Sequence, residues 1–446
     1  MRQNTSTTAR TAYAARWLYD GTRVLENHAV IVEDSTISTV LPVADLGPNI
    51  PLQHHAGCTL IPGLIDTHMH FMRFQGPLFL AYGVTTVRDT GNDLEWILQC
   101  RREWPQQTWP RLICLGPLLD GTPPGHPLVA RPINDPDDAL AAVRQTAAAE
   151  VDGIKLYASI KAAWIPAMVR ESHAAGLKVS MHCLPHGVLV AGRAGVDEFY
   201  HLDGILADIW PEHPPGWLSV WGHPDFGKTW DRQQQVADAI AAMGLTSTPT
   251  LAYWDSQWRM RQEAGPFPAE GRYMPADLFR WAAAEPDSEL GATWRRALEA
   301  AQRFQGLLLA REVPVLAGSD TPCGGILPGQ SLWRELALLV EAGLEPIGAL
   351  EAATAAAADF LERPELGRLQ KGAAADMAIV HGDLRQGIPD RPQIELVVRG
   401  GATYRPDQLL HAAETIDSSW RDDPWGRQFA QHGHRRASAD RPDPRE

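Results

Sequence analysis

His68 and His70 flank one residue in Asp66-Thr67-His68-Met69-His70. Alternate side chains of an extended segment point to the same side, so both imidazoles can chelate one ion. Lys155 lies in the apolar run Gly153-Ile154-Lys155-Leu156-Tyr157 and is one of only five lysines in the chain. Burial there would depress the amine pKa, and a neutral amine can add carbon dioxide to become a carbamate, whose two oxygens can bridge two metals. His182 and His201 each end a further apolar run, and Asp320 follows another in Ala317-Gly318-Ser319-Asp320-Thr321-Pro322. A carboxylate there can bind metal and take a proton from metal-bound water. Taken singly, each has a plainer reading: a satisfied buried histidine, a snorkelling lysine, a turn aspartate. Their common place at the ends of apolar runs favours metal binding.

In a parallel barrel the active site forms at the carboxyl ends of the strands. From Leu60 to about Phe360, short apolar runs alternate with longer amphipathic segments, which is the βα rhythm. The runs Leu60–Asp66, Val84–Asp89, Arg111–Leu115, Gly153–Tyr157, Lys178–Met181, Val196–Tyr200, Leu245–Leu251 and Val313–Ala317 predict eight strands. Helical patterns such as Asp137–Glu150, Ala162–Ala175, Arg232–Met243 and Trp294–Arg311 lie between them. The prediction is an α/β fold, a (β/α)8 TIM-type barrel over residues 59–365. Residues 12–58 alternate apolar and polar positions, and residues 367–405 resume the pattern. The flanks 1–58 and 366–410 are therefore expected to form one small, discontinuous, β-sandwich-like domain built from both chain ends. Residues 411–446 are polar and Pro-containing and are expected to be a poorly ordered tail.

Composition narrows the function. Of 446 residues, 44% are hydrophobic and 21% charged, which fits a globular chain and excludes wholesale disorder, collagen and coiled coil. Forty basic residues against 54 acidic ones give a net charge of −14, and no basic stripe with interleaved aromatics offsets it, so nucleic acid is an unsuitable partner. Five cysteines without a CxxC pair fit a reducing compartment. The sequence has no run of about 18 apolar residues, and its opening MRQNTSTTARTAYAARWLYD lacks the apolar stretch of a secretory signal. The expectation is a cytoplasmic protein, without a membrane partner, that acts on a small molecule and assembles as a homo-oligomer.

The motifs PGLIDTHMH, GIKLY, the strand-end His182 and His201, and GSDTP resemble, in this order, those of the amidohydrolase superfamily. LAYGVTTVRDTG, LPGQSLWRELALLVEAGLEPIGALEAAT and LGRLQKGAAADMAIVHGDL are most similar to its prolidase-like and imidazolonepropionase-related branch. The resemblance implies a binuclear centre. His68 and His70 would join Asp320 on one metal, His182 and His201 would hold the second, and carboxylated Lys155 with a hydroxide would bridge the two. Hydrolysis of an amide, urea or carbamate C–N bond by that hydroxide follows, with Asp320 moving the proton. Zinc suits these ligands, and manganese, iron or cobalt would also fit them.

The resemblance also gives His126, in Pro123-Pro124-Gly125-His126, a contact to the substrate's carbonyl or carboxylate, although relatives carry a second Gly where this chain has Pro. Tyr157, Tyr253 and Trp254 are candidates to line the pocket. Relatives that cleave dipeptides often carry a Tyr three residues after the sixth-strand His. Here the sequence runs His201-Leu202-Asp203-Gly204, which counts against a dipeptide substrate. Between Asp203 and Arg295 lie Trp210, Trp217, Trp221, Trp230, Trp254, Trp258 and Trp281, expected to form an aromatic lid over an apolar or aryl substrate. The alternatives are a mononuclear aminohydrolase or imidazolonepropionase-like ring hydrolase, an Xaa-Pro-type dipeptidase or N-acyl amino acid carboxypeptidase, and an inactive barrel scaffold.

Overall fold

The computed structural model describes residues 10–212, 217–261, 271–275, 287–323, 326–415 and 418–430. Period-two alternation dominates both ends of the chain. Strands β1 (Arg10–Tyr19), β2 (Val24–Glu26), β3 (His28–Glu33), β4 (Thr36–Pro42) and β5 (Leu52–Pro62) come from the first sixth of the sequence. They join one eight-stranded sheet with three later strands, named β15 (Met377–His381), β16 (Ile394–Arg399) and β17 (Ala402–Tyr404). The order is β17-β16-β15-β5-β1-β3-β4, with β2 paired to β1, and only the β1–β5 pairing is parallel. Alternate residues divide between two cores. Val30, Val32, Cys58, Leu60, Met377, Ile379, Leu396 and Val398 pack together on one face, whereas Ile61, Ala378, Val380 and Val397 join the main core of the molecule. The strands form one continuous path rather than the two stacked sheets expected of a sandwich, because β5 and β15 pair directly and leave no gap between the chain ends.

The middle of the chain supplies two parallel sheets. One is β6 (Leu64–Met69), β7 (Val84–Asp89) and β8 (Arg111–Cys114). The other contains β9 (Leu118–Gly121), β10 (Ala130–Ile133), β11 (Ile154–Leu156), β12 (Val179–His182), β13 (Glu198–Tyr200) and β14 (Thr246–Thr248), in the order β10-β9-β11-β12-β13-β14. Helices Pro136–Ala148, Ile165–Ala174, Trp230–Ala242 and Ser288–Leu309 fall within a few residues of the expected ones. Asp135 and Asp287 start two of them by accepting backbone N–H bonds, from Asp138 in the first and from Glu289 and Leu290 in the second.

The sequence reading needs three corrections. The first predicted run is split, Leu60 to Pro62 completing β5 and Leu64 opening β6 after Gly63. The predicted eighth strand, Val313–Ala317, is not a regular strand. It makes a single bridge, Val315 with Ser247 of β14, and beyond its end Thr321 makes another with Met69 of β6, so the segment connects β14 to β6 without a ladder. The expected tail is folded at least as far as residue 430. Helix Pro406–Ala413 is followed by a short turn over Ser418–Asp422 and a helical stretch over 424–430, in which Trp420, Trp425 and Phe429 are buried. Overall polarity masked three aromatic anchors, Trp420 in the turn and Trp425 and Phe429 four residues apart on the helical stretch.

Candidate metal centre

Strand β6 carries the His-x-His pair and is zipped to the segment that carries Asp320. Thr67 donates its backbone N–H to Ala317 O (3.0 Å), Asp320 to His68 O (2.8 Å) and His70 to Thr321 O (2.8 Å). Asp66 is fully buried and clamps both motifs, accepting from the backbone N–H groups of His68 (3.2 Å) and Ser319 (3.0 Å) and from Ser319 Oγ (2.6 Å). Burial pushes its carboxyl up to about 7 despite these donors. Gly318 is required here, because a Cβ would stand 2.5 Å from that of His68. His201, Thr250 and Asp320 all hold left-handed φ values, 61°, 50° and 61°, which non-glycine residues and above all β-branched ones seldom adopt. Such strain gathers where side chains must be aimed.

All ten sequence-predicted site residues line one cavity of about 310 Å³: His68, His70, His126, Lys155, Tyr157, His182, His201, Tyr253, Trp254 and Asp320. Nε2 of His68 and Nε2 of His70 each lie 3.4 Å from Asp320 Oδ1. The His68 ring is 4.8 Å from that of His201, which is 4.6 Å from that of His182. Donor atoms of His68, His201 and Asp320 come within 4.8 Å of one another, as do those of His70, Asp320 and Cys323. The geometry therefore adds Cys323 to the candidate ligands, and it sets His201 between His182 and the His68–Asp320 group.

The surroundings orient the rings. His70 Nδ1 faces Gly91 O at 3.3 Å, which calls for a proton on Nδ1, and His201 Nδ1 faces Thr250 Oγ1 at 2.6 Å, so the Nε2 of each is turned to a ligand. His182 Nε2 meets Asp203 Oδ2 at 3.0 Å. Burial, with neighbouring Lys155 and histidines, holds His68 and His201 well below the usual imidazole range, so both are neutral donors. The donor set fits a divalent cation: neither ring nitrogen of His68 makes a hydrogen bond, although both are buried. Lys155 is 1% exposed, its ammonium lies 3.6 Å from the centre of the Tyr200 ring, and burial lowers its pKa to about 7.

His126 is held by a loop that Asp120 braces, its carboxylate accepting from the N–H groups of Gly125 and Ser159 (both 2.8 Å). His126 Nε2 reaches the Tyr157 hydroxyl at 3.1 Å. The expected tryptophan lid is redistributed. Trp254 reaches the cavity with Tyr253, but Trp221 packs against Trp254 and Phe304 in the core, and Trp230 is 42% exposed. Trp281 and the side chain of Trp217 lie outside the described residues. The aromatic wall that the sequence reading missed comes from the C-terminal segment. Trp425 sits 4.3 Å from the His70 ring and donates its indole N–H to Gly91 O at 2.7 Å, and Phe429 packs 5.4 Å from it. Asp423 anchors the segment by accepting from the Arg73 backbone (2.9 Å) and guanidinium (2.7 Å).

The Amidohydrolase family matches residues 297–403, and the NagA composite domain matches residues 15–60. No curated protein matches the chain. Among solved structures it is similar to an Xaa-Pro dipeptidase with bound methionine, at 19% identity over 89% of this chain and 100% of that one, TM-score 0.66. It is similar to the A. niger ochratoxinase at 17% identity over 89% and 95%, TM-score 0.66. It is also similar to molinate hydrolase, at 16% identity over 92% and 98%, TM-score 0.68.

Proposed function

We propose that this chain is a hydrolase of carbon–nitrogen bonds of the amidohydrolase family, and that its cavity is a binuclear metal site for a small, neutral, aromatic amide, carbamate or urea. The observation that carries this reading is the convergence of His68, His70, His182, His201 and Asp320 with buried Lys155 around one cavity. The two parallel sheets are read as arcs of a (β/α)8 barrel over residues 59–365, flanked by a domain from both chain ends. A polar hub supports the barrel. Arg88 of β7 donates to Thr67 O of β6 and to both carboxylate oxygens of Glu198 on β13, which Ser180 of β12 and Thr248 of β14 also reach.

His68, His70, His182, His201 and Asp320 would hold two divalent cations, zinc by preference, with carboxylated Lys155 between them. Bound there, the ions supply an acidified water and a Lewis acid for the scissile carbonyl. The protein's own groups do the rest. Asp320 takes the water's proton and delivers it to the leaving nitrogen. The His126–Tyr157 pair holds the carbonyl end of the substrate, and Trp425, Phe429 and Tyr253 exclude water around the apolar end. Asp203 lines the cavity and no arginine does so among the described residues, which disfavours a substrate carboxylate and hence a dipeptide. The metal lost when His68 and His201 are both replaced by Ala tests the reading: near two equivalents are expected to go, one would favour the mononuclear aminohydrolase, and none would remove the metal site.

The aromatic wall has a separate test. Burying an aryl group of roughly 100 Å² at about 25 cal/mol per Å² is worth roughly 2.5 kcal/mol, so an aryl substrate should exceed its methyl analogue by well over tenfold in kcat/KM. Trp425→Ala and Phe429→Ala should each shrink that ratio severalfold. Equal efficiency for a matched aryl and methyl pair, or an unchanged ratio in both variants, would rule out the wall as a specificity element.

A further inference from the structure

Away from the cavity, the mixed sheet brings together a second set of soft and borderline donors. Cys58 on β5 and His381 on β15 are direct cross-strand partners, and Glu395 lies on β16, the next strand over. Cys58 Sγ is 3.2 Å from Glu395 Oε2 and 3.8 Å from His381 Nδ1, and His381 Nε2 is 3.6 Å from Glu395 Oε2. A tetrahedral cation with bonds of about 2.0–2.3 Å has ligand–ligand edges of about 3.3–3.8 Å, and one donor atom from each of Cys58, His381 and Glu395 lies within 4.8 Å of the others, near enough to close onto one ion. His55, also on β5, places Nδ1 2.8 Å from Glu395 Oε1, the outer-shell imidazole–carboxylate contact that orients a metal-binding carboxylate. Its Nε2 is buried without a hydrogen-bond partner.

A self-contained hydrogen-bond cluster accounts for only part of this. Glu395 can accept from His55 and from the Cys58 thiol, but His381 is left between a thiol and a carboxylate at distances longer than good hydrogen bonds of either nitrogen. The donors also differ in exposure in the manner of a site an ion can enter. Cys58 is fully buried in the sheet's core, whereas the His381 side chain is 50% exposed. We propose that Cys58, His381 and Glu395, oriented by His55, bind a zinc-class divalent cation at a site separate from the cavity, and that the ion staples β5 to β15 and β16.

Cobalt(II) added to the metal-stripped full chain is the probe, because a thiolate ligand gives a near-ultraviolet charge-transfer band that histidine and carboxylate do not. Cys323, beside His70 and Asp320, is the other thiol that could give such a band. The band is therefore expected to persist in Cys323→Ser, to vanish when Cys58→Ser is added to that variant, and in the Cys323→Ser background to require at least about tenfold more cobalt in His381→Ala and in His55→Ala. Bound zinc should fall by one equivalent in Cys58→Ser. His381 is half exposed, so His381→Ala keeps the test decisive if Cys58→Ser does not fold. In the Cys323→Ser background, no band at all, a band that survives Cys58→Ser, or cobalt affinity unchanged in His381→Ala would each overturn the site, whatever the metal content of the cavity.

Discussion

Asp320→Asn is expected to lower kcat by at least about a hundredfold, the size that a positioned general acid–base group contributes. The substitution is nearly isosteric, and asparagine tolerates the left-handed backbone that Asp320 adopts, so the turn should survive. What disappears is the carboxylate that faces Nε2 of both His68 and His70 at 3.4 Å. An amide can still offer an oxygen to an ion, yet it cannot accept and return a proton. Metal content should consequently fall less than activity, since four histidines remain. Steady-state kinetics beside metal analysis on one preparation would separate the two, and a variant with unchanged kcat would assign proton transfer to another group.

Lys155→Met should cost at least about a hundredfold in activity and most of the bound metal, while nearly preserving the volume of a side chain that is 1% exposed. In Lys155→Ala, formate, acetate or propionate added in excess should restore part of the rate by filling the vacated position with a carboxylate. The pH dependence has a definite sign. Burial lowers the amine to about 7, so it is protonated and inert to carbon dioxide below that pH and free to add it above. Reactivation of metal-free protein by metal plus bicarbonate should rise between about pH 6 and 8 and level off beyond. Full metal content and wild-type rate in Lys155→Met, or reactivation indifferent to bicarbonate, would exclude the carbamate.

The residues that line the cavity were legible because the signals that mark them are short-range. Two histidines on one side of a strand, a lysine inside an apolar run and an aspartate after Gly318-Ser319 can be read from neighbours alone, and all of them face one cavity. Contacts that cross the chain could not be read in this way. Trp425 bonds to a carbonyl 334 positions earlier, and a polar composition around it disguised its segment as a tail. Cys323 entered the site because the turn after Asp320 returns it to His70, and Asp203 because it meets His182 across two strand ends. The irregular segment around Val315 has the hydrophobicity of a strand but only isolated bridges, and periodicity cannot distinguish the two.

The mixed sheet also constrains the order in which the protein can be made. Strand β5 takes β1 as one neighbour and β15 as the other, so one of its edges has a partner almost at once and the other must wait until residues 63–376 have been synthesised. At about 5–20 residues per second that wait lasts tens of seconds. Throughout it the nascent chain presents an open strand edge flanked by Leu60 and Ile61, a template on which a neighbouring polypeptide on the same polysome could pair. Yield of native protein during overproduction should therefore be governed by translation speed and by the supply of chaperones that shield such an edge, more than by the equilibrium stability of the finished fold.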